Sequence, residues 1–370
     1  MRLRHPGGST VHLAYCTNVH PAEDLPGIHR QLSGPAARVR ALTGAARLGL
    51  GLWLSHGVTR ALRSDPAELV RLRAALDRLG LEVVTLNGFP YQGFHQEVVK
   101  YRVYQPDWAH EDRLRYTLDL AEILTGLLPD DVTEGTISTL PLAWRTGWTR
   151  DKAAAVAANL DALARGLREL AGRTGKTVRV GFEPEPGCIV ETTSQAAALL
   201  GGADPEYLGV CLDACHLAVG FEDPRDAVAL GLPIVKFQAS CAIEAPPGAQ
   251  RALTAYDEPR FLHQTRCAAG AAGYVDDLGA ALAGGLPAEQ PWRSHFHMPL
   301  HAAPPPPLAT TASHLGELLR LLMAAPLTRH IEVETYTWSV LPGRADVAEG
   351  IAAELNWTRR RLAALGLEEI

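Results

Sequence analysis

The sequence predicts an α/β protein, a (β/α)8 TIM barrel with a long insertion between strands 7 and 8, and three observations predict it. Apolar runs of strand length alternate with helical patterns, and eight such runs are present, the number a closed parallel barrel needs. Several of the runs finish in a carboxylate, amide or imidazole, at the strand end where a barrel collects its chemistry. The length of 370 residues suits one elaborated barrel, and no internal repeat or interdomain linker divides it. Residues 1–370 are therefore expected to form a single domain, with 241–310 inserted near the barrel mouth.

Val11–Cys16 reads as the first strand, followed by Thr17-Asn18-Val19-His20-Pro21, and Glu23–Arg40 as a helix interrupted around Gly34-Pro35. Leu48–Leu54 is the second strand. Asp65–Gly80 is an amphipathic helix: Asp65-Pro66 starts it, Leu69, Leu72 and Leu76 recur at helical spacing, and Gly80 ends it. Glu82–Leu86, the third strand, runs into the aromatic, glycine-bearing loop Asn87–His95, of the kind that covers substrates. Arg113–Leu128 is a helix, Thr136–Leu140 the fourth strand and Thr149–Thr174 a long Ala/Leu helix. In the fifth strand Val178, Val180 and Phe182 alternate until Pro184, Pro186 and Gly187 stop the run, leaving Glu183 and Glu185 at its end. Thr193–Leu200 is a short helix, Leu208–Leu212 the sixth strand ending at Asp213, Asp226–Leu230 a brief helix and Pro233–Gln238 the seventh strand. The spacing then breaks across 241–310, which carries an extra strand at Ser294–Met298 and the run Pro304–Pro307. Ser313–Ala325 is a helix, His330–Thr335 the eighth strand and Val347–Leu365 the closing helix.

Composition narrows the function. A net charge of −6 with the two signs mixed along the chain offers no footprint for nucleic acid. Six cysteines without CxxC spacing, several inside apolar strands, suit free thiols in a reducing compartment. No signal-peptide core or run of membrane-span length is present, so a cytoplasmic protein without membrane insertion is expected.

In a barrel the strand ends share one mouth. Glu183, Asp213 with His216, Gln238 and Glu334 would then face one another as an oxygen-rich set with nitrogen available, suited to Mn²⁺, Co²⁺, Zn²⁺ or Mg²⁺. Taken singly, each such residue also reads as a helix cap or a surface ion pair. His295 and His297, two apart on a strand, point the same way and either complete the metal site or lie on a solvent-facing edge. By the same parity Lys236 and Glu332 lie one layer deeper than Gln238 and Glu334, where they form a buried ion pair unless Lys236 serves catalysis. Asn18, His20, Asn87, His95, Glu185, Lys236 and His295 are the candidate substrate-binding groups. Tyr91, Phe94, Trp144, Trp148 and Trp338, near predicted strand ends, offer aromatic walls for a sugar ring or else ordinary packing.

At these residues the chain resembles the xylose isomerase-like TIM-barrel superfamily of sugar isomerases, epimerases and endonuclease IV-type enzymes. The superfamily places a Glu after strand five, Asp-x-x-His after strand six, a His after strand seven and a Glu after strand eight. Glu183, Asp213-Ala-Cys-His216 and Glu334 fit; Gln238 stands where His is usual, with His297 as a substitute. More narrowly, Tyr15–Pro21, Leu86–His95, Phe182–Cys188, Lys236–Ser240, His295–His297 and Glu332–Trp338 are similar to the EboE family of metabolite traffic proteins. The resemblance implies a divalent-metal-dependent isomerase or epimerase of a sugar, sugar phosphate or cyclitol-like polyol, serving secondary-metabolite biosynthesis or export beside other proteins of the same cluster. Glu183 and Glu334 would shuttle the proton, and His216 would hold the substrate or polarise its carbonyl. The alternative is a non-catalytic metabolite carrier on the same barrel; an abasic-site endonuclease is a third reading that the acidic charge disfavours.

Overall fold

A computed structural model describes residues 1–229, 231–269, 273–343 and 346–370. Eight strands form the barrel: β1 (Thr10–Cys16), β2 (Leu48–Trp53), β3 (Leu81–Asn87), β4 (Glu134–Thr139), β5 (Thr177–Phe182), β6 (Leu208–Asp213), β7 (Ile234–Ala239) and β8 (His330–Val333). Each pairs in parallel with the next, and β8 pairs with β1, which closes the sheet. With helices outside and side chains inside, every residue of β2, β3, β6, β7 and β8 is buried.

The helices begin and end where local chemistry dictates. Asp65 caps Pro66–Leu79, accepting from the Ala67 amide, and Gly80 ends it in the left-handed conformation (φ 64°) that a side chain would resist. Thr149 caps Arg150–Thr174 at the Lys152 amide, and Thr192 with Gln195 forms a reciprocal capping box on Thr193–Leu200. The predicted helix over Glu23–Arg40 divides into Leu25–Gln31, one wide turn at Leu32–Ala36, and Ala37–Thr43. Pro35 lacks the N–H that would have kept the ladder regular. The brief helix predicted at Asp226–Leu230 lies at Pro224–Val228, with Leu230 outside the described residues.

Five short antiparallel strands after β7 make a second sheet, in the order Tyr274–Val275, Thr265–Cys267, Trp292–Ser294, Ile243–Ala245, Ala309–Thr310. The extra strand predicted at Ser294–Met298 therefore ends at Ser294, and His295–His297 leave the sheet as extended chain. Parity along a strand does not apply to them; remote contacts set where they point.

Inside the barrel, Lys236 Nζ lies 3.0 Å from Glu332 Oε1, with both side chains fully buried. Burial alone would lower the ammonium, but the Glu332 carboxylate more than reverses this and holds Lys236 above its ordinary value. Gly51 makes room for the pair: a Cβ there would fall 1.3 Å from Glu332 Oε2.

Candidate active site

Glu183 continues β5 by one residue, its amide donating to Thr139 O at 3.0 Å. Asp213 ends β6 and caps Ala214–Val219: its Oδ1 accepts from the His216 amide at 2.9 Å and from Ser240 Oγ at 2.8 Å. Glu334 follows β8, its Oε1 accepting from Asn18 Nδ2 at 2.7 Å and Asn87 Nδ2 at 3.0 Å. Ligand atoms of Glu183, Asp213 and Glu334 all lie within 4.8 Å of one another. Glu183 Oε2 and Asp213 Oδ2 are buried with no hydrogen-bond partner.

Three carboxylates so placed cannot all ionise without compensation. Burial, then the Glu334, Asp213 and Glu185 charges, hold Glu183 well above the ordinary carboxylate range. Burial, followed by the Asp213 and Glu332 charges, pushes Glu334 up to about 8, against the Lys236 charge and the Asn18 hydrogen bond. Orphaned buried oxygens beside imidazole nitrogen are a donor set that fits a divalent cation.

His297 arrives from the extended chain after Trp292–Ser294; ligand atoms of His297, Asp213 and His216 also lie within 4.8 Å of one another. The three imidazoles share one arrangement. His216 Nδ1 donates to Pro184 O at 3.0 Å, His297 Nδ1 to Glu334 O at 2.8 Å and His295 Nδ1 to Gln264 Oε1 at 2.7 Å. Carbonyl oxygens only accept, so each Nδ1 carries a proton and points away from the other two rings, whose Nε2 atoms face one another. The Gln264 amide orientation follows from its Nε2 donating to Pro186 O and Glu185 Oε1, both at 3.0 Å. Burial, and then the neighbouring His216 and His297, keep His295 well below the ordinary imidazole value; burial lowers His297 to about 4.

These groups floor a cavity that, counted with the open space at its mouth, holds about 520 Å³ of empty volume. Phe89, Phe94, Val103, Phe261 and Leu262 form its apolar wall, and Tyr104 and Tyr336 add hydroxyls. Glu185 also lines it, its Oε1 accepting from Tyr104 OH at 2.8 Å.

The structure thus brings Asn18, Asn87, Glu185, His216, His295 and His297 to the cavity with Glu183 and Glu334. Asp213 stands just behind, 1% exposed. The other candidates lie elsewhere. His95 buttresses the Asn18 carbonyl (2.7 Å) and His20 meets Tyr15 OH (3.2 Å). Lys236 stays in the interior with Glu332. Gln238 is fully buried, its Oε1 accepting from Cys211 Sγ at 3.5 Å, and it does not line the cavity. Of the predicted aromatics, Phe94 reaches the wall, Tyr91 stacks on His56 (4.5 Å) and Trp338 donates to Glu354 (3.0 Å). Sequence reasoning missed Tyr104, Ser240, Gln264 and Tyr336. Tyr336 and Ser240 each lie two residues beyond a singled-out position, a signal too common to select them; the other two come from loops without regular pattern.

Residues 43–250 match the family described as xylose isomerase-like TIM barrel. A closed parallel barrel carrying acidic and imidazole groups at one mouth is the class of protein that fold and site define. The chain belongs to the xylose isomerase-like TIM barrel family. Among solved structures, a xylose isomerase-like TIM barrel protein from Mycobacterium smegmatis in complex with magnesium is similar, with 14% identity, TM-score 0.54 and coverage of 98% of this chain and 94% of that one. A D-allulose 3-epimerase from Methylomonas sp. gives 11%, 0.54, 98% and 100%, and an L-ribulose 3-epimerase 14%, 0.52, 96% and 95%. At these identities the likeness is one of fold. No curated protein sequence matches.

Proposed function

We propose that the chain is a divalent-metal-dependent isomerase or epimerase acting on a sugar, sugar phosphate or cyclitol-like polyol. The observation that carries this reading is the convergence of Glu183 and Glu334 on the floor of a cavity with Asp213 just behind them, two of the carboxylate oxygens being orphaned. Glu183, Asp213, Glu334 and His297 would hold the cation, and Gln238 takes no part in this assignment. A cation bound there supplies Lewis acidity, which polarises a carbonyl and acidifies the neighbouring C–H.

The chain's own groups move the proton. Glu183, held well above the ordinary carboxylate range, and Glu334, raised to about 8, are the groups to take and return it. One carboxylate accepts the C–H proton. Return of a proton by the other to the opposite face gives an epimer, after which exchange with water resets the two carboxylates; return to the adjacent carbon, with the hydroxyl proton passing to the former carbonyl oxygen, gives an isomer. Asn18 and Asn87 orient Glu334, and His216 would hold the substrate or polarise its carbonyl. The apolar wall excludes water from that step.

Service in secondary-metabolite biosynthesis or export, partners from the same metabolite-traffic cluster and a cytoplasmic location rest on the sequence resemblance, and are proposed with it. So is the single-domain organisation with 241–310 as a mouth-side insertion. The test is incubation with a panel of ketoses, aldoses, their phosphates and inositols in D₂O with Mn²⁺, Co²⁺ or Mg²⁺, read by NMR. Deuterium entering at a carbon next to a carbonyl, and lost in Glu183→Gln and Glu334→Gln, is the expected result. Saturable binding without exchange would replace the isomerase by a carrier.

A further inference from the structure

We infer that the substrate is an uncharged amphiphile: a hydroxylated head that meets the carboxylate floor, and an alkyl or aryl substituent that lies against the wall of Phe89, Phe94, Val99, Val103 and Phe261. The inference rests on the proposed function for the head, and on the wall alone for the substituent.

Much of the wall is an apolar cluster of its own, separate from the barrel core. Phe94, Val99, Phe261 and Tyr336 meet there with Trp53, and Val103 packs against them. Three segments supply it: the loop after β3, the chain after β7 and the turn after β8. Ring centroids lie 5.2 Å apart for Phe94 and Phe261, and 4.9 Å for Phe261 and Tyr336. The polar groups behind this wall already have partners. The Phe89 amide donates to Asn87 Oδ1 and its carbonyl accepts from Arg113 Nη1, both at 3.0 Å. Pro90 has no N–H, and its carbonyl accepts from Trp53 Nε1 at 2.9 Å. The Val99 amide donates to Arg260 O at 2.8 Å, and its carbonyl accepts from the Arg102 amide at 2.9 Å. The Phe261 amide donates to Glu258 Oε1 at 2.8 Å. Of the two hydroxyls, Tyr104 OH stands between Glu185 Oε1 and Gln264 Nε2, both at 2.8 Å, and Tyr336 OH faces His295 Nε2 at 3.3 Å.

A hydroxyl pressed against such a surface gives up water and finds no partner, whereas a methylene gains by leaving water. The wall therefore favours a substrate that is apolar where it touches the wall over a bare polyol. Charge narrows the class further. Among the described residues lining the cavity, Lys100 is the one lysine or arginine, and it is paired with Asp277. A phosphate would meet no free ammonium or guanidinium there. The same loop also carries apolar side chains outward: Val98 and Tyr101, on either side of Val99 and Lys100, are 43% and 47% exposed.

The test titrates the full-length protein with methyl, butyl and hexyl β-D-glucopyranosides, glucose and glucose 6-phosphate by calorimetry, beside the deuterium-exchange panel. Affinity should rise about fourfold per added methylene along the alkyl series. That rise should flatten in Phe261→Ser and in Val103→Ser, and glucose 6-phosphate should bind no tighter than glucose. Val103 is half-buried, so its variant disturbs folding less than the loss of the buried Phe261 ring, and circular dichroism checks both. Equal affinity along the series, a rise that both variants leave unchanged, or no glucoside binding at all overturns the inference. Tighter binding of glucose 6-phosphate than of glucose overturns it as well. Deuterium exchange on simple sugars beside a flat alkyl series keeps the isomerase and removes the amphiphile. A steep series, flattened by the variants, with no exchange on any sugar keeps the amphiphile as a bound ligand and removes the isomerase.

Discussion

Glu334 Oε1 accepts from both Asn18 and Asn87, so two amides hold the carboxylate that the proposed chemistry needs in one orientation. Asn18→Ala and Asn87→Ala should each lower kcat on the order of 10–100-fold, the usual cost of losing an outer-shell partner, and change KM little. Steady-state kinetics on whichever substrate exchanges deuterium checks this, and wild-type kcat in both variants would remove the orienting role. Beneath the site, Lys236→Met leaves the Glu332 charge buried and unpaired, and should cost about 3–5 kcal/mol in urea unfolding. Replacing Glu332 as well, with Leu, should recover much of that loss. This pair was legible from strand parity alone, because Lys236 and Glu332 sit on neighbouring paired strands where alternation fixes the facing side. Gln238 obeyed the same parity, yet its amide meets Cys211, since parity gives a direction and not a partner.

Among the elements, the closing helix Val347–Ala364 carries the most telling buried charge. Glu354 accepts from Thr335 Oγ1 at 2.6 Å, the Leu300 amide at 3.1 Å and Trp338 Nε1 at 3.0 Å, tying the chain at Leu300 and the loop after β8 to this helix. Burial pushes its carboxyl up to about 7 against those three hydrogen bonds. The folded state then binds a proton that the unfolded chain releases near pH 4.5, so stability falls as pH rises from about 4.5 to about 7. The total loss is at most about 3 kcal/mol. Thermal unfolding of metal-free wild type against Glu354→Gln over that range should show the slope shrinking in the variant; an unchanged slope would assign it to other groups. The limits of Pro66–Leu79, Arg150–Thr174 and Thr193–Leu200 were readable within a residue or two, since capping by Asp65, Thr149 and Thr192 is a contact between near neighbours in sequence. By contrast, the helix predicted to end at Arg40 runs on to Thr43, and His56–Ser64 was not predicted. The strand predicted through Ser294–Met298 was not readable, because whether an extended run pairs depends on a neighbour the run does not contain.

At the scale of the whole molecule, the second sheet carries His295 and His297 to a mouth otherwise built from β5, β6 and β8. A cation held by His297 and the strand-end carboxylates would tie the chain after the second sheet to the barrel. Hydrogen exchange of amides 295–298 should therefore slow on adding Zn²⁺, more than that of β2 or β3, and equal protection throughout would argue against the tie. Length alone could not bring these histidines in: His216 meets His295 across 79 residues, and His297 meets Glu334 across 37.

The sequence by itself determined the alternation of strands and helices, the barrel class, and the acidic strand ends Glu183, Asp213 and Glu334. All of these follow from local periodicity and from the geometry that brings barrel strand ends together. Only the tertiary structure decided that His297 and not Gln238 stands near the carboxylates, and that His216, His295 and His297 turn their Nε2 atoms toward one another. The reason is that each ring is oriented by a carbonyl from a distant segment, and no pattern along the chain records which carbonyl that will be.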